Sequence, residues 1–324
     1  MDLDFAFFHM SDHSRPGLAS QFFLNRLPPV LFAPRIETLL RLQNPGWRGC
    51  NLYLPIGMDN WHYLKPERQE WITRRSAAIL QQDCGLESMA VDRRLLGSLQ
   101  SPAGIQCYYG HSFITALALV LTEEALRRHA IEKIIVLGET PAFASFLEQL
   151  QQYDLPVSIQ TTCPGRYEVM THRFLYTKGL AFSNSLIRPE NWQSGDLILA
   201  FSEEHYRMVM SSPGCFCIAL HNEQHHLAPD LEAILTQAQL PPCLHTLAPI
   251  LETCLLREAG FIQKSGELLD NSNLSNPSLY SEAEGGMSDR QQNQADFMEI
   301  KRLGDELDLW DAFLDKESSG LYNT

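Results

Sequence analysis

Four short stretches carry residues whose types and spacing could do chemistry. In "IEKIIVLGETPAFASFLEQL", Ile131 to Leu150, an apolar run ends at Gly138 and a helical pattern follows. A strand, a tight glycine turn and a helix can cradle a phosphate on backbone N–H groups. "FSEEHY" sets Glu203, Glu204 and His205 just after an apolar run, a combination suited to acid–base work. "HNEQHH" sets His221, Glu223, His225 and His226 after another, with donor types that suit a metal. "YGHS" places His111 beside Gly110 and Ser112 ahead of a long apolar helix. His9, His13 and "MDNWHYLKPE", with Asp59, Trp61, His62 and Tyr63, are further polar groups on loops. Each has a plainer reading as a solvated loop or a helix start.

The glycine turn meets its chemistry only in part. Three glycines normally share the work: one makes the turn, one admits the phosphate, one lets helix and strand pack. Here Gly138 supplies the first, and Thr140, Pro141, Phe143 and Ala144 stand where the others belong. Pro141 has no N–H to give, although it suits the first turn of a helix. Phe143 is bulky, and Glu139 brings negative charge to the phosphate position. After the next strand, "TTCPGR" lacks the acid that grips a ribose hydroxyl, but Arg166 could meet a 2′-phosphate. Any dinucleotide held by Gly138, Thr140 and Arg166 would therefore be NADP, and the other expectation is no cofactor.

The elements that must position these residues follow from the hydrophobic pattern. In residues 1–105 the pattern predicts strands at "DFAFFHM" and at Cys50–Leu54, the latter broken by Pro55 and Gly57. A helix from Pro66 follows, stopped by Gly85, and then a short strand. Residues 106–263 alternate. A helix over "SFITALALVLTEEALRRHA" leads to the strand Ile134–Leu137, a helix Pro141–Gln152 and strands at "PVSIQTT", "GLAFSN", "DLILAFS" and "CFCIALHN". A last helix over "LAPILETCLLREAG" would pack back across both regions. The strands are continuous apolar runs, as in a parallel sheet covered on both faces. The expected fold class is α/β, a doubly wound parallel sheet preceded by an N-terminal α/β domain.

Residues 264–295 are rich in Ser, Asn, Gln and Gly and read as a disordered linker. Residues 296–317 regain a helical stripe of Phe297, Ile300, Leu303, Leu307, Trp310 and Leu314 among acids. Such a helix must dock, either on its own body or on a protein partner through Leu307, Trp310 and Leu314.

The bulk composition narrows the function classes. The chain has 324 residues and a net charge of −14, of which about −9 lies in residues 265–324. That sign argues against nucleic acid as a partner. No apolar run is long enough to span a membrane, and the acidic opening "MDLDF" does not resemble a secretory signal. The expected location is the cytoplasm, with a homo-oligomer left open. Eight cysteines without CxxC spacing then read as reduced thiols.

The order of segments resembles the shikimate dehydrogenase-like Rossmann group, and within it the long-chain acyl-[acyl-carrier-protein] reductase branch. "FAFFHMSD", "LYLP", "GLESMAVDR", "YGHSFITALALVLTEEALRRHAIEKIIVLGE" and "LPPCLHTLAPILETCLL" carry the likeness, over roughly residues 1–260. The resemblance implies an N-terminal substrate domain, a C-terminal NADP-binding domain and catalysis between them. It also implies a thioester-forming cysteine, whose position here is Pro249 in Ala248-Pro249-Ile250-Leu251-Glu252-Thr253. The lysine of the shikimate branch has no counterpart before Lys65, and the glycine-rich turn is "GETPAFA". Gly110-His111-Ser112 matches a family loop in part. Three departures together point to a non-catalytic or regulatory Rossmann body whose tail recruits a partner. The alternative is an atypical NADP-dependent oxidoreductase acting on a carbonyl or thioester, with His111 or His205 in place of the cysteine.

Overall fold

In the computed structural model the residues described are 3–11, 24–42, 46–99, 101–102, 104–210, 214–221, 227–262, 297–314 and 321–323. The linker of residues 264–295, His13, and Glu223, His225 and His226 lie outside them.

Two sheets organise the chain. The first has the order β2-β3-β1-β4-β5, built from β1 (Phe5–Ser11), β2 (Arg35–Arg41), β3 (Arg48–Gly57), β4 (Ser88–Val91) and β5 (Gln106–Tyr108). β2 pairs antiparallel to β3, and the remaining pairs are parallel. The helix α1 (Pro66–Ile79) starts on proline and ends through a wider turn at Gly85, as the sequence signals predict. The expected break at Pro55 is instead a bulge within β3. Met10 pairs with Leu54 and Ser11 with Gly57, which leaves Pro55 no ladder bond to donate. β2, which the hydrophobic pattern does not mark, is an edge strand with Ile36 and Leu39 exposed.

α2 (His111–Arg128) carries the chain to the second sheet, of order β11-β10-β9-β6-β7-β8. Its members are β6 (Lys133–Leu137), β7 (Val157–Thr161), β8 (Phe182–Leu186), β9 (Asp196–Ala200), β10 (Phe216–Ala219) and β11 (Leu321–Asn323). All pairs are parallel except β10–β11. α3 (Phe143–Leu150), α4 (Glu168–Lys178), α5 (Glu203–Met210) and α6 (Pro229–Gln237) connect or flank these strands. Chain order runs outward from β6 to β7 and β8, then returns to β9 and β10 on the other side. That reversal defines a Rossmann-like sheet and puts its switch point at the carboxyl ends of β6 and β9. α3 starts at Phe143, so Pro141 lies in the turn before the helix rather than in its first turn. α4 escaped the pattern reading because it buries only Phe174.

One apolar cluster joins the two sheets. It runs from Phe5 and Phe7 on β1 through Phe113 and Leu117 on α2 to Ile134 and Leu197. α7 (Leu244–Glu258) lies in it, in contact with β1, β4 and α2. The other face of the first sheet packs Phe8, Leu52 and Trp61, and that of the second packs Ile135, Ile198 and Cys217. Burial on both faces is why these strands read as unbroken apolar runs.

The C-terminal segment docks on this body. α8 (Phe297–Glu306) lies along α2, followed by a single 3₁₀ turn at Leu309–Ala312. Asp308 takes a left-handed φ of 51° between them, so the stripe expected over 296–317 is interrupted. Trp310 turns back over Gly304, sits 5.3 Å from Phe113 between ring centres, and donates its indole N–H to the Lys301 carbonyl. Trp310 is 4% exposed, while Leu307 and Leu314 pack at the cluster's margin. Of the two docking modes that the sequence allows for Leu307, Trp310 and Leu314, the structure shows the segment on its own body, with Trp310 buried and Leu307 and Leu314 partly buried there.

Candidate functional site

Gly138 leaves the end of β6 with φ +97°, a conformation that L side chains rarely adopt. The ring of His205 and the Cβ of Phe201 stand directly over it. Together with Glu139, Thr161, Thr162, Cys163, Arg166 and Ser202 they line a cleft of about 370 Å³. It opens outside the carboxyl ends of β6, β7 and β9, where open parallel sheets bind ligands. Three of the residues singled out in the sequence, Gly138, Arg166 and His205, thus meet in one place.

Their local roles are nonetheless specific. Ser202 caps α5: its Oγ accepts the His205 backbone N–H at 3.3 Å and lies 2.8 Å from His205 Nδ1. Glu203 and Glu204 follow in the first turn, where the helix dipole favours acids. "FSEEHY" is therefore a helix start, with the His205 ring folded over the glycine. Burial lowers the pKa of His205, partly offset by Glu204.

The fit to a dinucleotide diphosphate is poor. Arg166 Nη1 is 2.9 Å from Glu139 Oε1, so the loop after β7 is tied to the glycine turn. Thr140 is buried, and its hydroxyl bonds that of Thr115 on α2, away from the cleft. Pro141 gives no N–H, and Phe143 is packed against Tyr167 at 5.4 Å. Of the three positions assigned to a cofactor, Thr140 is turned from the cleft and Arg166 is already paired.

His111 lies elsewhere, at the start of α2, in a second polar centre at the carboxyl edge of the first sheet. Gly110 precedes it with φ +78°, and a Cβ there would come within 2.7 Å of the Ala248 and Pro249 backbone in α7. Close approach and left-handed geometry both require glycine. With no side chain at Gly110 to cap α2, the Glu252 carboxylate accepts the N–H groups of Ser112 and Phe113. Glu252 is 5% exposed, and burial lifts its pKa to about 7 against those hydrogen bonds and Arg93. Burial, then Arg93, lowers His111 to about 4. His245, in the first turn of α7, falls to about 3 through burial, Arg93, Arg94 and His221. Arg93 itself drops to about 10 by burial, while Glu252 pulls it back.

Asp92 follows β4 and caps the turn that carries Arg93 and Arg94. Asp92 is 1% exposed and holds Arg94 by a fork, with Nη2 at 2.6 Å and Nε at 3.0 Å. Arg93 reaches the Tyr109 carbonyl at 3.4 Å. At the end of β1, His9 lines a smaller cavity of about 210 Å³ with Ser11, Glu37, Tyr53, Gln239 and Pro241. His9 is 6% exposed, its Nε2 has no hydrogen-bond partner among the described residues, and burial lowers its pKa. The sequence reading missed Arg93, Arg94, His245 and Glu252 as a group. The available signal was "VDRR" at a strand's carboxyl end.

His221, after β10, is buried against the Tyr206 ring at 4.7 Å. His62 and Tyr63 are exposed, and Trp61 is a core residue whose indole N–H binds the Ser98 carbonyl at 3.0 Å. Among the described residues no group of three or more His, Cys, Asp or Glu is placed to hold a metal. Nor is any helix long and apolar enough to cross a membrane.

No family model matches the chain, and no curated protein does. Among solved structures, L-tryptophan dehydrogenase from Nostoc punctiforme is similar at 11% identity and a TM-score of 0.35, over 81% of this chain and 69% of that one. A hetero-hexameric glutamate dehydrogenase from Thermus thermophilus is similar at 14% identity and a TM-score of 0.31, over 80% and 69%. The strand order β10-β9-β6-β7-β8 is itself Rossmann-like.

Proposed function

We propose that this is a divergent Rossmann-type protein with a binding or regulatory role, in which the switch-point cleft does not serve a dinucleotide. The observation that carries the reading is the Glu139–Arg166 pair, which joins the two loops that a diphosphate and its ribose would need. Both partners are partly exposed, so the pair adds at most about 1 kcal/mol to stability. Its strength is therefore not the obstacle. The obstacle is a carboxylate at the phosphate position, with a missing donor at Pro141 and a histidine ring over Gly138. The segment order shared with the shikimate dehydrogenase-like group supports descent from an oxidoreductase.

A second reading is favoured by the polar centre at His111. The feature that supports it is Glu252, a buried carboxylate lifted to about 7 beside Arg93 at the start of α2, where His111 stands. In that reading the chain is an atypical oxidoreductase acting on a carbonyl or thioester held near His111.

Titration of the full chain with NADPH and with NADH, followed by nicotinamide fluorescence and by calorimetry, separates the two. The first reading expects no saturation at concentrations where dehydrogenases bind. It also expects Glu139→Gln, which frees Arg166 and removes the repelling charge, to tighten NADPH by about tenfold or more, some 1.4 kcal/mol. Micromolar binding by the unaltered chain would overturn it and favour the enzyme.

A further inference from the structure

The first sheet holds a pair of thiols that neither polar centre uses. Cys50 lies on β3 and Cys84 closes the turn after α1, and their sulfurs are 3.8 Å apart. All eight cysteines are free thiols, and among the described residues this is the pair whose thiols are in mutual contact. The sulfurs need to approach by under 2 Å to reach bonding distance. The two residues are not equivalent. Cys50 is fully buried in the strand between Ala6 and Leu39, its cross-strand partners. Cys84 is 4% exposed but is flanked by exposed Asp83 and Gly85, at a chain reversal where Gly85 has φ +66°. A reagent can reach Cys84 through motion of that one turn, whereas reaching Cys50 requires opening the sheet.

We propose that Cys50 and Cys84 form a redox site, oxidised to a disulfide within the folded protein by a low-molecular-weight disulfide. The Cys84 thiolate attacks one sulfur of the reagent, forms a mixed disulfide and expels one thiolate. The Cys50 thiol, giving up its proton to solvent, then attacks Cys84 and expels the second. Both protein thiols are oxidised, and the reagent leaves as two reduced thiols. The two thiols share one S–H···S hydrogen bond in which either can be the donor, and this contact lowers the pKa of Cys84 and raises that of the more deeply buried Cys50. The first attack therefore falls to Cys84.

The test incubates the full chain with oxidised glutathione under native conditions, blocks residual thiols by alkylation, and maps peptides by mass spectrometry without reduction. The expected product joins the peptides of Cys50 and Cys84, two hydrogens lighter than the separate thiols, and reverts with dithiothreitol. Cys50→Ser should trap glutathione on Cys84 instead. Exposed Cys163 reports that the reagent is active. If Cys163 takes up glutathione while Cys50 and Cys84 are both recovered alkylated, the proposal fails. It also fails if the cross-link forms only in denaturant. The unaltered chain suffices for both readings, so a variant that folds poorly does not decide the outcome.

Discussion

At the scale of single residues, the histidines and Glu252 impose opposite pH dependences. His111 and His245 are neutral in the fold down to about pH 4 and 3, yet ionise near 6.5 once unfolded. The unfolded chain therefore binds more protons below 6.5. The stability these residues support is present above 6.5 and is lost as the pH falls toward 4. Glu252 runs the other way. Its folded pKa of about 7 exceeds the ordinary 4.5, so its contribution is full below 4.5 and is lost as the pH rises through 7. Two histidines outweigh one carboxylate between pH 6.5 and 4.5. The melting temperature should thus drop over that interval on acidification, and drop more steeply in Glu252→Gln. A flat profile in calorimetry would show that the histidines are not held neutral.

At the scale of elements, the C-terminal segment is held on α2 by aromatic packing and an ion pair. Phe297 packs toward Phe146, Trp310 and Phe313 surround Phe113, and Lys301 pairs with Glu123 on α2 at 3.3 Å. Trp310→Ala should cost about 3–5 kcal/mol, the range for deleting a buried aromatic. Chemical denaturation would read that loss, and a change within a few tenths of a kcal/mol would mean that the segment is not seated on α2. The sequence made the elements legible wherever burial was periodic or continuous. The apolar runs of β1, β6 and β9 announced strands covered on both faces, and the amphipathic stripe announced a helix that must dock. Illegible were α4, with one buried side chain, and β2, an exposed edge. The gathering of Arg93, His111, His245 and Glu252 was equally hidden. They lie far apart in the chain, and no local spacing records that β4, α2 and α7 converge. Gly138, Arg166 and His205 meet because each lies in the connection that leaves the carboxyl end of a strand of one parallel sheet, an arrangement that the chain's βα alternation, but not its local spacing, records.

At the scale of the whole molecule, the two sheets share one apolar cluster and are cross-tied at its rim. Trp47 donates to Glu258 at 3.0 Å and Arg257 to the Asp4 carbonyl at 3.1 Å, joining the end of α7 to the first sheet. A core continuous across both sheets should melt as a unit. Urea unfolding followed by tryptophan fluorescence and by far-ultraviolet circular dichroism should give coincident single transitions. Two separated midpoints would mean that each sheet stands alone. The same continuity bears on the segment at Phe297–Leu314. The body's last helix ends at Glu258, and α8 returns to that body from the far side of residues 263–296. The covalent connection between them closes a circuit whose ends are both moored. Were the backbone severed anywhere along it, the two fragments would stay together by packing alone, and gel filtration would still report one particle.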